Sequence, residues 1–479
     1  MRMTAPFVLV NSNISKPPVS PIGLEYTGYA LKHSGIDIAV IDLALADNWR
    51  NAIQNGLSGL SPVAVGVSVR NTDDVCFATK KSFLPWIRDL VAEVKKTVGA
   101  PVVLGGVGYS ISPASVLTQT GADFGIDGDG ELAAGFLAKA LLAKGDISNL
   151  PNLVHRRGDM VVCNPRAYHD LENVPLPERG LFDNMAYEKA GAMVGIETKR
   201  GCPQQCIYCA DPVAKGSRLR LRSPAVVVTE IKNLLKNGVS WFHLCDSEFN
   251  QPLRHAKDIC RAIVDAGLGS RIHWYCYCCP IPFDAELASM MVRAGCAGIG
   301  FGVDSLVDEQ LARLGRAHHL GQVWTLVNIL KQAGLNFLFD FIVGGPGETP
   351  DTVRLTVSRI KQMAIPVAGI SVGVRVYPGT PLGNTISKGL LWDGVKLEVV
   401  GDGFDPLVFY SAPALGDDPL AMVRNIVGDD PSFLLLSGPS DADSYNYADD
   451  AVLAQAIRDG ARGAYWDILV KRRKLSPEA

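Results

Sequence analysis

Residues 63–69, Val-Ala-Val-Gly-Val-Ser-Val, form a continuous apolar run with none of the alternation of a strand that is wet on one side. Comparable runs lie at 7–10, 36–42 and 101–104, with helix-like segments at 22–34 and 85–98 between them. A strand that is apolar on both faces must be covered on both. A helix between two such strands returns the chain so that they pair in parallel. Residues 1–148 are therefore expected to form a Rossmann-like, doubly wound parallel sheet. Ligands on such sheets bind beyond the carboxyl ends of the strands. Those ends carry residues 11–15, then Ser68-Val69-Arg70-Asn71, Gly105-Gly106-Val107-Gly108 and Gly128-Asp129-Gly130-Glu131. Glycine lets a backbone approach a ligand closely, and it serves equally in a tight turn between strand and helix.

Residues 149–190 carry Pro151, Pro165, Pro175 and Pro177 with little periodicity and read as a linker. A second series follows. Strand-like segments recur at 193–198, 241–245, 272–278, 298–303, 337–343 and 369–376, with helical patterns such as 225–237 and 282–294 between. About six such units over 191–385 suit a full or partial β/α barrel. Residues 386–479 read as a small mixed α/β region that shapes a substrate pocket. Phe404, Phe409, Tyr410, Tyr445, Tyr447, Tyr465 and Trp466 could line or close that pocket, or serve as plain core, and none of them is singled out as a site residue. The chain's 479 residues fit about two to four domains.

The net charge of −3 provides no field toward nucleic acid, and the closing Lys471-Arg472-Arg473-Lys474 run reads as a solvated tail. No stretch of about 18 apolar residues suits a membrane span. The apolar run at 7–10 is too short for a signal peptide. Eleven cysteines without an export signal point to cytoplasmic thiols rather than a disulfide framework.

Three of those thiols are crowded together in Cys202-Pro203-Gln204-Gln205-Cys206-Ile207-Tyr208-Cys209, a C-x3-C-x2-C spacing. Three thiolates can hold three irons of a four-iron cluster and leave the fourth iron open to a substrate or cofactor. A zinc site would need a fourth ligand, for which His243, His255 and His273 are available. Three unrelated buried cysteines are the plain alternative. The stretch follows the first strand of the second series, at the face where β/α barrels carry their active sites.

The spacing, with aromatic Tyr208 before the last cysteine, resembles that of radical S-adenosylmethionine (radical SAM) enzymes. Further segments resemble that family in order. Leu244-Cys245-Asp246-Ser247-Glu248 is similar to its methionyl-amine segment, and Gly300-Phe301-Gly302-Val303-Asp304-Ser305 to its ribose-facing strand, with Asp304 in place of the usual Glu. Leu314-Gly315-Arg316 is similar to its carboxylate-pairing segment. Phe341-Ile342-Val343-Gly344-Gly345-Pro346-Gly347-Glu348-Thr349 resembles its adenine-side turn, and Val376-Tyr377-Pro378-Gly379-Thr380 its final turn. The resemblance implies a [4Fe–4S] cluster on Cys202, Cys206 and Cys209. It implies S-adenosylmethionine against Tyr208, Asp246, Ser247, Glu248, Asp304, Ser305, Arg316, Gly344, Tyr377 and Pro378. It also implies reductive cleavage to a 5′-deoxyadenosyl radical, with electrons from a donor such as flavodoxin or ferredoxin.

The front domain resembles the subgroup that carries a cobalamin-binding domain. The match rests on 7–42, on Val103-Leu104-Gly105-Gly106-Val107, on Gly128-Asp129-Gly130-Glu131 and on the Pro175-Leu176-Pro177 join. It implies cobalamin near Ser68, Arg70, Asn71, Gly105, Gly106, Val107, Gly128, Gly130 and Glu131, with Arg70 as candidate for the residue facing cobalt. The cobalt-ligating D-x-H-x-x-G motif is absent; Leu31-Lys32-His33-Ser34-Gly35 lacks its Asp. The expected activity is cobalamin-dependent methylation of an unactivated carbon in a small biosynthetic molecule. Radical rearrangement, cyclisation or oxidation is the alternative within the class, and a non-enzymatic cobalamin or Fe–S carrier the alternative outside it. Cys276, Cys278 and Cys279 read as small buried hydrophobes. His318-His319 reads as a surface pair at a helix start.

Overall fold

The computed structural model describes residues 5–398, 407–435 and 450–475. Phe404, Tyr445 and Tyr447, considered above as pocket aromatics, lie outside the described residues. The front sheet has seven strands: β1 (Phe7–Asn11), β2 (Ile38–Asp42), β3 (Ala64–Ser68), β4 (Val102–Gly105), β5 (Phe124–Ile126), β6 (Leu153–Arg157) and β7 (Met160–Cys163). Their order is β2-β1-β3-β4-β5-β6-β7, with β1 to β5 parallel and β6 and β7 antiparallel. Helices cover both faces over two separate cores, as continuous apolar strands require. The chain direction reverses between β1 and β3, which makes the crevice beyond their carboxyl ends the topological switch point.

Part of the expected linker is not a linker. The prolines bracket the hairpin β6–β7, which extends the sheet. Its strands are short, and Arg156, Arg157 and Met160 face water, so no apolar period marks them.

The second sheet begins with β8 (Val194–Ile196). A two-stranded ribbon, β9 (Lys199–Arg200) with β10 (Arg220–Leu221), frames the cysteine stretch. The sheet continues with β11 (Trp241–Leu244), β12 (His273–Cys278), β13 (Cys296–Asp304), β14 (Phe337–Val343) and β15 (Ala368–Val372). A small antiparallel cap joins β16 (Val374–Arg375), β17 (Val395–Glu398) and β18 (Leu407–Tyr410). The seventh parallel strand, β19 (Phe433–Leu435), comes from the carboxy-terminal region and pairs with β15. The sheet runs β8-β11-β12-β13-β14-β15-β19 as an open barrel. The outward residues of its strands and the inner faces of its helices form one large core.

The helices begin where local chemistry starts them. Asp284 accepts from Leu287 N at 2.7 Å, and Thr349 and Thr352 form a reciprocal cap before Pro350–Gln362. Phe409 and Tyr410 are buried in the cap strands, and Trp466 closes the foot of the barrel. Among the described residues no helix is long and apolar enough to cross a membrane.

The two sheets are joined through buried charge. Arg179 Nη1 meets Glu230 Oε1 at 2.6 Å with both side chains fully buried, and Tyr26 OH donates to the same carboxylate at 3.0 Å. Arg222 lies over the Tyr26 ring. Removing one member of such a set strands the others without compensation. Glu230→Ala is expected to lower unfolding stability by about 3–5 kcal/mol, read from the chemical denaturation midpoint. A shift under about 1 kcal/mol would show that the network is not a structural brace.

Candidate active site

The cysteine stretch leaves β8 and is clasped from below. Asp246, at the end of β11, accepts from Thr198 N at 2.8 Å and Lys199 N at 3.1 Å, and pairs with Lys199 Nζ at 2.9 Å. Burial opposes its charge, yet Lys199 and Thr198 hold its pKa below the ordinary carboxylate value. Gly201 has φ +94°, and a Cβ there would collide with Arg218 O, so only glycine admits the turn before Cys202.

Cys202, Cys206 and Cys209 line one cavity of about 110 Å³ together with Tyr208, Glu248 and Arg316. All three are free thiols. Burial raises each thiol's pKa, that of Cys202 to about 11, so burial alone does not produce thiolates here. Arg316 opposes the rise at Cys206, donating from Nη1 to its Sγ at 2.9 Å. Among the described residues no three His, Cys, Asp or Glu side chains are grouped to hold a single metal ion. His243, His255 and His273 are engaged elsewhere: His243 lies beside Tyr277, His255 contacts Thr198 O at 3.2 Å, and His273 stacks on Trp241. The thiols thus surround a space, which suits a cluster better than one zinc ion.

The cavity carries orphaned polar atoms. Glu248 Oε2 is buried without a hydrogen-bond partner, and burial pushes its pKa up to about 7 against the pull of Arg316. Asp304 sits behind, accepting from Tyr208 OH at 2.5 Å and facing Arg316 Nε at 3.2 Å. Its φ of +66° is unusual for a non-glycine residue and turns the carboxylate back toward those partners. Burial raises its pKa despite Arg316 and Tyr208.

The other expected S-adenosylmethionine residues divide. Ser247 lines the cavity and donates to Asp211 Oδ2 at 2.5 Å. Asp246 is committed to the clasp, and Ser305 is buried, accepting from Val307 N at 3.2 Å; neither lines the cavity. Gly344 has φ +109° and donates to Glu348 at 2.6 Å. Tyr377 lies under the Arg375 guanidinium, and Pro378 is exposed. Asp211 and Lys199 went unnoticed in the sequence as site supports, because each is an ordinary charged residue until the turns bring it close; Glu348 was read only as part of the adenine-side turn.

At the front sheet, Ser12 N donates to Ser68 Oγ at 3.3 Å across the switch point. Arg70 is exposed there and Asn71 partly buried. The neighbouring glycines serve the protein's own packing: a Cβ at Gly106 would lie 2.7 Å from Val69 O, and one at Gly108 2.8 Å from Arg70 O. Gly105 O accepts from Val69 N at 2.7 Å. Gly128 N donates to Ser110 Oγ at 2.8 Å, and Gly130 packs against Thr27. The Glu131 carboxylate is taken by Arg200 at 2.8 Å.

The sequence reading missed the more telling feature. Ile14, Leu45, Val75 and Val107 follow β1, β2, β3 and β4, and each is 37–44% exposed. Four large apolar side chains left exposed in the loops beyond the carboxyl ends of neighbouring strands suit the face of a broad apolar ligand. His318-His319 differs from expectation too. His318 is buried with Nε2 at 3.0 Å from Val303 O, and only His319 starts the helix Leu320–Ala333. Cys276 and Cys278 lie in the barrel core, 3.8 Å apart, and Cys279 is buried.

The Radical SAM superfamily model matches residues 196–360. The tryptophan 2-C-methyltransferase of Streptomyces laurentii is 29% identical over 96% of this chain and 94% of its own. A radical S-adenosylmethionine methyltransferase, TsrM from Kitasatospora setae, has been solved with cobalamin and a [4Fe–4S] cluster bound; it superposes with TM-score 0.88, 27% identity and 99% coverage of each chain. The same enzyme with tryptophan and a SAM analogue bound gives TM-score 0.89 at 28% identity, again over 99% of each chain.

One pH effect follows from the adenine-side turn. Burial raises Glu348 from its ordinary 4.5 to about 7, although it accepts from Gly344 N and Gly345 N. A carboxyl whose folded pKa is raised gives stability that is full below its unfolded value and lost as pH climbs to the folded one. Glu348→Gln keeps an oxygen for both donors. It should remove roughly 3 kcal/mol of stability change between about pH 4.5 and 7, seen as a flatter profile of melting temperature against pH. An unchanged profile would assign the slope to other groups.

Proposed function

We propose, from the premise that the chain is a radical S-adenosylmethionine enzyme with an amino-terminal cobalamin-type domain, that it methylates an unactivated carbon of a small biosynthetic molecule. The observation that carries the reading is the cavity in which three free thiols meet Arg316 and the Glu248 carboxylate, whose Oε2 is buried without a hydrogen-bond partner. When bound, a [4Fe–4S] cluster, S-adenosylmethionine and cobalamin would supply one-electron reduction and a transferable methyl group.

The chain's own residues would then bind, orient and keep water out. Cys202, Cys206 and Cys209 would hold the cluster and leave one iron open. Arg316 lies between Cys206 and Asp304, so it would favour thiolate at one end and offer a guanidinium face to a carboxylate at the other. Glu248, with Oε2 unpartnered and its pKa close to neutral pH, suits an ammonium group. Tyr208 and Asp304 set the floor on which a ribose or methionyl chain would rest. Gly344 and Tyr377 lie at the turns where the adenine end would lie.

In the front domain, the exposed apolar side chains of Ile14, Leu45, Val75 and Val107 support cobalamin as the ligand, with Arg70 as candidate for the residue beneath the metal. Gly128, Gly130 and Glu131 would act indirectly, by holding the neighbouring strand end. The relative with tryptophan bound and the tryptophan methyltransferase make an aromatic amino acid or its derivative the first substrate to try. A one-electron donor protein such as flavodoxin or ferredoxin completes the system, and the site is read as one for small molecules rather than nucleic acid.

The test is anaerobic purification with cobalamin supplied, followed by a visible spectrum and counts of iron and corrinoid. About four irons and one corrinoid per chain are expected, with a methylated product on adding S-adenosylmethionine and tryptophan or a related aromatic. Iron without corrinoid would overturn the methyl-transfer reading. Cys202→Ala should lose the cluster's iron and the activity together; a fully loaded variant would sink the cluster assignment. Val107→Asp places a charge among these apolar side chains and should weaken corrinoid retention by about tenfold or more, while leaving the iron count unchanged.

A further inference from the structure

Inside the barrel, side chains alternate between the outer core and the lumen. Trp274, Cys276 and Cys278 of β12 and Ile299, Phe301 and Val303 of β13 belong to the core, so Tyr275 and Tyr277, and Gly298, Gly300 and Gly302, face the lumen. The lower layer is full. Tyr275 packs with Leu338, Val367, Ala464 and Trp466, and its hydroxyl donates to Asp467 at 2.6 Å. Asp467 also holds Lys471 at 2.7 Å, so the carboxylate of that layer is satisfied.

The layer above is different. Tyr277 lies over Gly300, where a Cβ would be 2.9 Å from its ring, and it is 48% exposed although its strand is central in the sheet. Its ring is 5.3 Å from His243, tilted by 51°. Burial pushes the His243 pKa down to about 4, so the imidazole is neutral at ordinary pH. On β14 the lumen position is Asp340, in register with Gly302 on one side and Gly369 on the other. A Cβ at Gly369 would collide with the Asp340 carboxylate, so that glycine lets the side chain lie where it does. Among the described residues no hydrogen bond or ion pair engages the Asp340 side chain. Gly302 also lines the thiol cavity, so Asp340, in register with it, lies level with that cavity and one register row above Tyr277 and Gly300. Burial, reinforced by Asp304, raises the Asp340 pKa to about 7.

We propose that Asp340 anchors the protonated amine of an aromatic ligand whose ring packs on Tyr277 and His243. A carboxylate in the lumen without a partner is costly, and a cation delivered by the ligand offsets that cost. A neutral ring N–H would leave the charge uncompensated, so the ligand class is an aromatic amine. Half-exposed Tyr277 and neutral His243 offer ring faces for offset or edge-on packing. The carboxylate lies over the bare backbone of Gly369, and Gly302 places no side chain on its other flank, where an ammonium group can approach. The assignment rests on the methyl-transfer reading above, for it names that site's substrate class.

The experiment is isothermal titration of the cluster-loaded protein with tryptamine and with indole-3-propionate, which keeps the ring but lacks the amine. The wild-type protein should bind tryptamine at least about tenfold more tightly than indole-3-propionate. Asp340→Asn is isosteric and should erase that preference, with iron content and S-adenosylmethionine binding unchanged. Asp340→Asn retaining the preference, or wild-type protein binding neither probe, would overturn the assignment. Amine binding through Asp340 without a methylated product would sink the methyl-transfer reading alone.

Discussion

Arg200 is the interaction on which the site depends. It immediately precedes the Gly201-Cys202 turn, and its guanidinium meets Asp129 at 2.8 Å, Glu131 at 2.8 Å and Glu197 at 2.7 Å. Asp129 also binds Arg220 on the opposite strand of the ribbon. Two of these carboxylates come from the front sheet's carboxyl edge and one from the barrel. One buried cation therefore sets the two edges face to face and positions the cysteine stretch between them. Burial disfavours the charge of every member, yet the pKa values of Asp129 and Glu131 are lowered and that of Arg200 is raised, because the opposite charges are so close. A second tie lies further along the rim, where Arg375 of the barrel cap meets Asp73 at 3.1 Å.

The barrel's glycines divide its lumen into layers. Gly298 receives the Tyr275 ring and Gly300 the Tyr277 ring, while Gly302 lies by Arg316 and the thiols. Foot, middle and rim thus differ in polarity along one strand. The foot is apolar with a satisfied Asp467, the middle carries Tyr277 beside His243, and the rim carries Asp340 and the linked set of Arg316, Asp304, Tyr208 and Cys206. Charges within the rim reach one another, so Asp304 adds to the rise that burial gives the pKa of Asp340.

Legibility in the sequence followed the range of the interaction involved. The parallel strands were readable because double-sided burial leaves continuous apolar runs, as in 63–69. The hairpin β6–β7 was not, because an edge hairpin with one wet face carries no such run. The strand β19 is three residues long and belongs to the barrel only by pairing with β15. In the site, the three cysteines and Tyr208, Glu248 and Arg316 were legible through spacing and family resemblance, and the cavity gathers them. Asp246 and Glu131 were placed at ligands, whereas the structure engages both with basic side chains, Lys199 and Arg200. A sequence shows a carboxylate but not the cation that folding brings to it.

The sequence by itself determined two parallel α/β layers, the cysteine stretch after the barrel's first strand and the glycine-marked turns, because hydrophobic period, local spacing and backbone freedom are properties of adjacent residues. The tertiary structure alone decided the strand order that puts the switch point between β1 and β3, the exposure of Ile14, Leu45, Val75 and Val107 beyond the strand ends, and the lumen position of Asp340 between two glycines from different strands. Each of these joins residues tens of positions apart, and only the packing of strands beside one another determines which side chains share a face and which charges are left without a partner.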